Sequence, residues 1–401
     1  MNVIIKQGMA SGVVHAPPSK SYAHRMLIGA ALAQGVSTIR GVAFSEDILA
    51  TMDCIRRLGA DCCVSGDEVT VTGCGGHPRA TDILPCRESG STLRFLIPVA
   101  LLGGGETVFS GTERLFARGI DTYRTMFGSR AIRLTAGRST LTAAGTLPAG
   151  DYSLSGAVSS QFVSGMLFAL PLAVGDSILT VTEPVESRSY IGMTLDAVRR
   201  CGVRIKETAP NTFFIPGGQH YLPLTAVVEG DWSNAAFLYA LNYAGGQVSV
   251  EGVESGSLQG DRVCLNCFTQ MEKGFAHIDL SDCPDLGPVL FTVAALLHGA
   301  EFTGTRRLSI KESDRAAVMT QELHKCGIRV AVEENSVTVF PGTLQKPQTA
   351  LCGHNDHRVV MSMSLLAVRT GAVIEGAEAV KKSFPDFFSV LRGLGLEVKE
   401  Q

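Results

Sequence analysis

The chain has 401 residues, of which 45% are hydrophobic and 18% are charged, and its formal net charge is −3. A chain of this length can bury large cores and is expected to form about two domains, and this composition excludes a disordered protein. The small negative charge excludes nucleic-acid binding through bulk positive charge, and 6% of aromatic residues is too few for a base-stacking surface.

The cysteines indicate a reducing compartment. There are eleven, an odd number scattered from Cys54 to Cys352, which suits the cytosol better than a disulfide framework. Cys264 and Cys267 have the spacing of metal ligands, but no second pair stands beside them. We therefore expect no metal site and a cytoplasmic protein.

Apolar runs predict buried helices rather than membrane spans. The N-terminus carries only residues 3–5 as an apolar run, so we expect no targeting peptide. The longest runs lie at 95–102, 166–174 and 289–297. Each is shorter than the roughly 20 residues of a membrane span.

A fragmentary repeat orders the predicted elements along the chain. An amphipathic helix ends at a glycine and strand-like alternation follows, because glycine suits the left-handed residue that closes a helix. The four glycines are Gly59, Gly202, Gly327 and Gly395. Hairpin-like segments with polar tips follow the first three at 62–71, 204–215 and 329–340, and a weaker copy runs over 121–141. Spacings near multiples of about 70 residues predict one α/β unit used several times.

The predicted helix starts carry hydroxyl groups beside a cation or a glycine. In chain order these starts lie at 18–25, 89–94, 159–161 and 187–190. N-capping explains each of them singly. Together they resemble a set of helix N-termini offered to phosphates, with Lys and Arg supplying full charges. Further cations at Arg118, Arg358 and Lys382 make the implied site one for polyanions.

Residues 311–315, Lys-Glu-Ser-Asp-Arg, place four ionisable groups at the predicted start of another helix. Helix starts favour anions through free N–H groups and the helix dipole. If Lys311 and Arg315 lie one turn apart they repel each other, and a bound anion would relieve that repulsion. A solvated helix start with Ser313 as N-cap explains the same residues, so this stretch alone leaves both interpretations open.

Six motifs together resemble the 5-enolpyruvylshikimate-3-phosphate synthase family. Each is weak alone, but all six keep family order across nearly the whole chain, which is highly specific. The motifs are Pro18-Ser19-Lys20-Ser21 with Arg25, Ser159-Ser160-Gln161, Pro284-Asp285, Lys311-Glu312-Ser313-Asp314-Arg315, Asn355-Asp356-His357-Arg358, and Lys382 with Phe384-Pro385-Asp386.

The resemblance implies an α/β fold of two domains, the enolpyruvyl transferase fold or inside-out α/β barrel, with three repeated βαβαββ units per domain. One domain would comprise residues 1–18 plus 229–401, completed by the N-terminal strand, on the phosphoenolpyruvate side. Residues 19–228 would form an inserted domain on the shikimate 3-phosphate side, with the active site in the interdomain cleft. The unit that begins at Asp261 passes from 271–274 almost directly into 278–280, so we expect it to be truncated at the rim.

The implied reaction transfers the enolpyruvyl group of phosphoenolpyruvate to the 5-hydroxyl of shikimate 3-phosphate and releases phosphate by addition and elimination. This step belongs to chorismate and aromatic amino acid biosynthesis and is the target of glyphosate. Two phosphates and two carboxylates must be held together, which calls for several paired cations. One group must protonate the methylene while another takes the hydroxyl proton. The family implies these two substrates as partners, no cofactor, and a monomer that binds neither nucleic acid nor membrane.

By position, the resemblance also implies roles for individual residues. Asp285 would be the base at the 5-hydroxyl, Glu312 the partner for the methylene proton, and Lys20 a sharer of proton traffic. The implied shikimate 3-phosphate ligands are Lys20, Ser21, Arg25, Ser159, Ser160, Gln161, Ser187, Tyr190, Asp285 and Lys311. The implied phosphoenolpyruvate ligands are Lys20, Gly90, Arg118, Gln161, Arg315, His357, Arg358 and Lys382. Tyr190 would stack on the shikimate ring, and His357 would hydrogen-bond the leaving phosphate.

The chain departs from the family pattern in two places. Residues 88–92, Glu-Ser-Gly-Ser-Thr, replace the more usual Asn-Ala-Gly-Thr-Ala, which leaves the contacts of this loop and the sensitivity to glyphosate-like inhibitors open. The missing side chain of Gly90 is expected to leave room for phosphoenolpyruvate, although relief of a crowded helix start explains it too. Arg307 falls near a position where many members have Asn, and we leave it out of the predicted site.

Two other functions compete with this one. An enolpyruvyl transferase acting on UDP-N-acetylglucosamine shares the fold and the donor, but typically carries a reactive Cys in a Gly-rich loop, where none of these cysteines lies. A non-catalytic binder of phosphorylated ligands would have no need of two proton-transfer carboxylates such as Asp285 and Glu312. From its position alone, Asp285 would be a solvated turn acid beside Asp279 and Asp282.

Overall fold

The computed structural model describes residues 1–401, which form two compact units. The terminal unit comprises Met1–Pro17 and Gly230–Gln401, and the central unit comprises Pro18–Glu229. No helix in either unit combines the length and the hydropathy needed to cross a membrane.

The central unit mixes helices and strands along its whole length. Its helices are α1 Lys20–Leu32, α2 Glu46–Arg57, α3 Gly90–Ala100, α4 Glu113–Ala117, α5 Asp121–Phe127, α6 Ser160–Ala169 and α7 Arg188–Arg200. Its strands are β3 Val36–Arg40, β4 Asp61–Ser65, β5 Glu68–Thr72, β6 Leu84–Arg87, β7 Glu106–Gly111, β8 Arg133–Ala136, β9 Thr140–Ala144, β10 Asp151–Ser155, β11 Ser177–Thr182, β12 Lys206–Ala209, β13 Thr212–Ile215 and β14 Thr225–Val227.

The terminal unit is built from the two ends of the chain. Its helices are α8 Trp232–Ala240, α9 Cys264–Lys273, α10 Gly287–Leu296, α11 Arg315–Lys325, α12 His357–Thr370 and α13 Phe387–Gly393. Its strands are β1 Asn2–Ile5, β2 Ser11–His15, β15 Gln247–Glu251, β16 Ala276–Asp279, β17 Ala300–Thr303, β18 Val330–Val332, β19 Ser336–Val339, β20 Leu351–Cys352, β21 Ala372–Glu375 and β22 Val398–Glu400. Short 3-10 turns at Pro284–Leu286 and Arg306–Ile310 lead towards α10 and α11.

Five of the six sheets repeat one strand pattern, which confirms the predicted repetition of an α/β unit. In each sheet a parallel pair of strands is extended by two antiparallel strands, as where β10 lies beside β11, β11 beside β13 and β13 beside β12. The strand orders are β14-β3-β5-β4, β6-β7-β9-β8, β10-β11-β13-β12, β16-β17-β19-β18 and β20-β21-β1-β22. In the last sheet β1 pairs with both β21 and β22, so the start of the chain completes a sheet formed near its end.

Three helices in each unit are buried on almost every side. They are α1, α3 and α6 in the central unit and α8, α10 and α12 in the terminal unit. Helices that are apolar all round belong in a core, whereas the longer of the other helices, such as α2 and α7, bury a single face. Since the buried helices are so apolar along their length, their polar chemistry is concentrated at their N-terminal ends.

The sixth sheet contains only the parallel pair β2 and β15, and it confirms the predicted truncation. Helix α9 ends at Lys273 and β16 begins at Ala276, so no hairpin lies between them. The Asn242 side chain caps the free edge of β15, because it accepts a hydrogen bond from Val248 N at 2.6 Å and donates one to Val248 O at 2.9 Å. The side-chain amide of Asn242 thus hydrogen-bonds the backbone groups of Val248, which could otherwise pair with another strand.

Of the other local predictions, the helix-ending glycines are confirmed and the length of one buried helix is wrong. The helix-ending glycines all have positive φ, from 79° at Gly202 and Gly327 to 101° at Gly59, and hairpins follow the first three as predicted. The predicted buried helix over 166–174 is too long: α6 ends at Ala169, and Val174 is 96% exposed. A run of apolar letters does not show where a helix stops.

Candidate active site

Serine caps open all three buried helices of the central unit. Ser19, Ser89 and Ser159 accept hydrogen bonds from backbone N–H groups in the first turns of α1, α3 and α6. Each cap occupies one of the N–H groups that a helix start leaves unpaired, and the remaining ones favour an anion. The sequence predicts substrate ligands at these helix starts. In the structure Lys20, Gly90 and Ser160 are the first residues of α1, α3 and α6, respectively.

Arg25 lies buried in α1 and is held by neutral groups. Its Nε donates to Thr194 Oγ1 at 2.8 Å, Nη1 to Ser21 O at 2.7 Å and Nη2 to Tyr190 O at 3.1 Å. The centroid of the Tyr190 ring lies 5.8 Å from the guanidinium carbon of Arg25. Burial without a carboxylate partner lowers the pKa of Arg25 to about 10. The structure therefore brings the predicted residues Ser21, Arg25 and Tyr190 together around an uncompensated positive charge.

A second group joins the starts of α3 and α6. The Gln161 side chain donates to Ser91 Oγ at 3.0 Å and accepts from Arg94 Nη1 at 2.7 Å. A Cβ added at Gly90 would lie 3.0 Å from Arg94 Nη1 and 3.1 Å from Arg118 Nη1. Two guanidinium groups therefore occupy the space in front of Gly90, beside Gln161.

The remaining predicted residues of the central unit lie near these groups in the fold. The Lys20 ammonium pairs with Asp47 Oδ2 at 2.9 Å, and both side chains are about one-sixth exposed. Ser187 precedes α7 with a left-handed φ of 55° and is buried. We call Lys20, Ser21, Arg25, Gly90, Arg94, Arg118, Ser159, Ser160, Gln161, Ser187 and Tyr190 the hydroxyl set, because neutral polar groups dominate around its cations.

In the terminal unit, Asp285 is the meeting point of three cations. Its Oδ1 lies 2.8 Å from Arg315 Nη1 and 3.1 Å from Lys311 Nζ, and its Oδ2 lies 3.4 Å from Arg358 Nη2. Burial alone would raise the pKa of the Asp285 carboxyl, but Lys311, Arg358 and Arg315 together hold it well below its usual range. The carboxylate is thus strongly stabilised in its charged form.

Arg315 is the centre of the same network and is only 1% exposed. Besides Asp285 it binds Glu312 Oε2 at 2.7 Å through Nη2 and Asp356 Oδ2 at 2.8 Å through Nε. Burial would lower the pKa of Arg315, but Asp356, Glu312 and Asp285 outweigh it and raise that pKa. One guanidinium therefore fixes three carboxylates in one arrangement.

The expectation that 311–315 opens a helix is corrected by the structure. Helix α11 begins at Arg315, and its N-cap is Asp314, which accepts from Ala317 N at 3.1 Å. Lys311 follows a 3-10 turn instead, and both it and Arg315 bind Asp285 rather than repelling each other across one turn. Ser313 donates to Asp356 Oδ2 at 3.0 Å, which gives it a supporting role outside the helix.

Lys311 is a cation whose charge is easily lost. Burial, with Asp285 opposing it and Arg307 adding to it, lowers the pKa of Lys311 to about 8. Arg307, which the sequence left out of the site, is thus buried close enough for its charge to act on Lys311. A lysine that titrates near neutral pH can both bind an anion and exchange a proton.

The turn before α12 carries the last predicted ligands. Asp356 caps α12 by accepting from Arg358 N at 2.9 Å, and His357 is buried with its Nδ1 3.8 Å from Asp356 Oδ1. Lys382 Nζ donates to Asn355 O at 2.6 Å. We call Asp285, Lys311, Glu312, Arg315, Asp356, His357, Arg358 and Lys382 the carboxylate set.

Sequence reasoning missed three participants. Arg94 and Asp356 lie inside motifs that the sequence analysis singled out. The signal that could have identified them is a charged residue at the start of an apolar helix. Asp261 gave no such signal, yet it is buried, accepts a hydrogen bond from the Ser233 hydroxyl, and has a pKa raised to about 7 by burial and by the charge of Asp285. A second, weakly acidic carboxyl therefore lies near the carboxylate set.

Comparison with solved structures places the fold among the enolpyruvyl transferases. The chain superposes on the enolpyruvyl transferase NikO from Streptomyces tendae with a TM-score of 0.80 at 16% identity, covering 100% of this chain and 98% of that one. It superposes on the EPSP synthase of Acinetobacter baumannii with a TM-score of 0.79 at 25% identity, covering both chains completely.

Sequence comparison narrows this class to one family. The family model described as EPSP synthase (3-phosphoshikimate 1-carboxyvinyltransferase) matches residues 5–391. The 3-phosphoshikimate 1-carboxyvinyltransferase of Clostridium kluyveri is 38% identical over 99% of this chain and 98% of its own length. That of Clostridium acetobutylicum is 36% identical over 97% and 96%. The chain belongs to the EPSP synthase family.

Proposed function

We propose that this protein transfers the enolpyruvyl group of phosphoenolpyruvate to the 5-hydroxyl of shikimate 3-phosphate, as a step of chorismate and aromatic amino acid biosynthesis. Family membership along nearly the full chain supports this activity. The observation that carries it is the bonding of Asp285 and Glu312 into one network with Lys311, Arg315 and Arg358. A protein that merely bound phosphates would have no use for these two carboxylates.

The two sets divide the substrates between them in this proposal. Shikimate 3-phosphate is bound by Lys20, Ser21, Arg25, Ser159, Ser160, Gln161, Ser187, Tyr190, Asp285 and Lys311. Phosphoenolpyruvate is bound by Lys20, Gly90, Arg118, Gln161, Arg315, His357, Arg358 and Lys382, and Arg94 joins this group because it holds Gln161. Support comes from the buried cations, which a pair of polyanionic substrates would stabilise.

Asp285 acts as the base at the 5-hydroxyl. A carboxylate whose pKa is held well below its usual range is a weak base, since Lys311, Arg358 and Arg315 stabilise its charge against burial. When substrate anions bind these three cations, their hold on Asp285 weakens and its basicity rises. Binding of both substrates thereby prepares the base, and Asp285 takes the hydroxyl proton as oxygen attacks the enol carbon.

Glu312 exchanges the proton of the methylene carbon. Glu312 Oε2 lies 2.7 Å from Arg315 Nη2, and a substrate anion that binds Arg315 releases this carboxylate for proton exchange. In the addition step this proton moves to the methylene, which becomes a methyl group. In the elimination step a methyl proton returns to Glu312 and the bond between carbon and the phosphate oxygen breaks. The phosphate leaves with that electron pair and takes up the proton held by Asp285, and the enol double bond forms again.

The decisive experiment measures phosphate release from phosphoenolpyruvate with shikimate 3-phosphate and, in parallel, with UDP-N-acetylglucosamine. We expect release only with the former acceptor. Release only with the latter would assign the protein to the competing transferase activity. Binding of shikimate 3-phosphate by calorimetry without any release would make it a phospho-ligand binder instead.

A further inference from the structure

A buried chain of four side chains crosses the interior of the central unit, and no role proposed above uses it. His24 Nδ1 lies 2.7 Å from Thr51 Oγ1, Thr51 Oγ1 lies 2.6 Å from Thr92 Oγ1, and the Thr92 hydroxyl donates to Ser89 Oγ at 2.7 Å. All four residues are at most 1% exposed. The chain links helices α1, α2 and α3 through their polar side chains alone.

The hydrogen bonds of this chain run in one direction. A hydroxyl has a single hydrogen, and Thr92 uses its hydrogen on Ser89, so Thr92 must accept from Thr51. Thr51 has then used its own hydrogen, so the Nδ1 of His24 must be the donor at the head of the chain. The His24 Nε2 is accordingly bare, and it is buried without a hydrogen-bond partner.

A neutral imidazole suits this position. A charged ring would carry a second N–H with no acceptor, inside the unit and near two cations. Burial, followed by the charges of Lys20 and Arg25, holds the pKa of His24 well below its usual range. The tautomer and the direction of the chain are thus set together.

The chain ends at the helix start that faces the two guanidinium groups. Ser89 Oγ also accepts from Thr92 N at 3.2 Å, so it is both the end of the chain and the N-cap of α3. The next residue is Gly90, whose α-carbon faces the Arg94 and Arg118 side chains. A chain of hydrogen-bonded side chains in a core makes its surroundings rigid and favours one arrangement of them.

We propose that His24 and Thr51 are positioning residues for the enolpyruvyl donor, because their one-way hydrogen-bond chain fixes Ser89 and the start of α3 against which the donor binds. This inference rests on the proposed function of Gly90 and Arg118 as donor ligands. Neither His24 nor Thr51 touches a substrate. Because their chain ends at Ser89, next to the donor ligand Gly90, their effect appears in the binding of the donor and not of the acceptor.

The test compares two substitutions of Thr51. Thr51→Val keeps the shape but removes the hydroxyl, and we expect the KM for phosphoenolpyruvate to rise about fivefold, the loss expected for one hydrogen bond. The KM for shikimate 3-phosphate should stay unchanged. Thr51→Ser keeps the hydroxyl and should retain the KM of the natural protein. Thr107→Val is the matched control, because Thr107 is a buried threonine of β7 that is not part of the chain, and it should change neither KM.

Equal changes in both KM values, or Thr51→Ser behaving like Thr51→Val, would overturn the proposal. A second measurement serves if the Val variant does not fold. Nitrogen NMR of His24 in the natural protein should show a protonated Nδ1 and a bare Nε2. The signals of the two nitrogens should shift when the protein is at equilibrium with both substrates, but not with shikimate 3-phosphate alone. A proton on Nε2, or signals unmoved by both substrates, contradicts it. Absence of turnover in the natural protein would instead refute the proposed function, while the tautomer would still be measured.

Discussion

The hydroxyl set and the carboxylate set hold buried cations by opposite means. In the central unit, Arg25 and Arg94 are held by hydroxyl, amide and backbone oxygens. In the terminal unit, Arg315 is held by three carboxylates. A cation held by neutral groups is ready for an incoming anion, whereas a cation held by carboxylates must exchange partners. The exchange couples binding to proton transfer, so the two sets differ in chemistry as well as in position.

The largest expected effect concerns Asp285. Asp285→Asn keeps the size of the side chain but removes the base, and we expect kcat to fall by about a thousandfold, within the range of general-base catalysis. Calorimetry should still detect binding of both substrates. Asp279→Asn, which changes an exposed acid at the end of β16, is the control and should leave kcat unchanged. Loss of binding in Asp285→Asn would move Asp285 from catalysis to positioning or folding.

The second prediction tests the two ways of holding a cation. Arg315→Gln leaves Asp285, Glu312 and the fully buried Asp356 without their shared partner, so we expect the free energy of unfolding to fall by about 3–5 kcal/mol. Arg25→Gln leaves only neutral oxygens behind, and a loss of about 1–2 kcal/mol is expected. Urea unfolding of both variants gives the values. Equal losses would show that the carboxylate partners do not distinguish the two sets.

The third prediction sharpens the role of Lys311. Since burial lowers its pKa to about 8, Lys311 loses its charge as the pH rises above that value, and the KM for shikimate 3-phosphate should rise by about tenfold per pH unit there. Lys311→Arg keeps its charge and should remove this rise. A profile unchanged by Lys311→Arg would assign the rise to another group.

Folding stability should show the opposite trend from the same group. The unfolded chain keeps its Lys311 proton up to about pH 10.4, so between about pH 8 and that value it binds more protons than the folded chain. The contribution of Lys311 to the free energy of unfolding therefore rises with pH in this window. Urea unfolding at pH 8 and pH 10, compared with Lys311→Arg, measures it.

The smallest expected effect is at Gly90. An added methyl group would meet the ends of the Arg94 and Arg118 side chains at 3.0–3.1 Å, and these flexible ends can shift by a few tenths of an ångström. Gly90→Ala should therefore raise the KM for phosphoenolpyruvate only about threefold to tenfold, and leave that for shikimate 3-phosphate unchanged. Gly393→Ala, where the methyl group meets nothing within 4 Å, is the control. An unchanged KM for phosphoenolpyruvate would show that the space before Gly90 is not used by the donor.

Sequence predicts those parts of this molecule that depend on local chemistry. The glycines that end helices and the polar tips of hairpins act over a few residues, so Gly59, Gly202, Gly327 and Gly395 mark real helix ends. The six motifs likewise identify the family, because residue type and order suffice for that.

Long-range pairing was not predictable in the same way. No local pattern joins Asp356 to Arg315, which are 41 positions apart, or His24 to Ser89 through two threonines. The start of α11 was misplaced for the same reason: Lys311 is held by Asp285, a partner far along the chain, rather than by the first turn of a helix. Which partner a charged side chain finds depends on the packed fold.

The pairing of β1 with β21 and β22 has a consequence for how the chain folds during synthesis. The central unit is one continuous stretch, so it can fold as soon as residues 18–229 have left the ribosome. The terminal unit must wait, because residues 2–5 find their partners only at 372–375 and 398–400. The first strand therefore stays unpaired until these later segments have been made. An N-terminal fusion that restrains this segment should slow the final folding step more than it lowers stability.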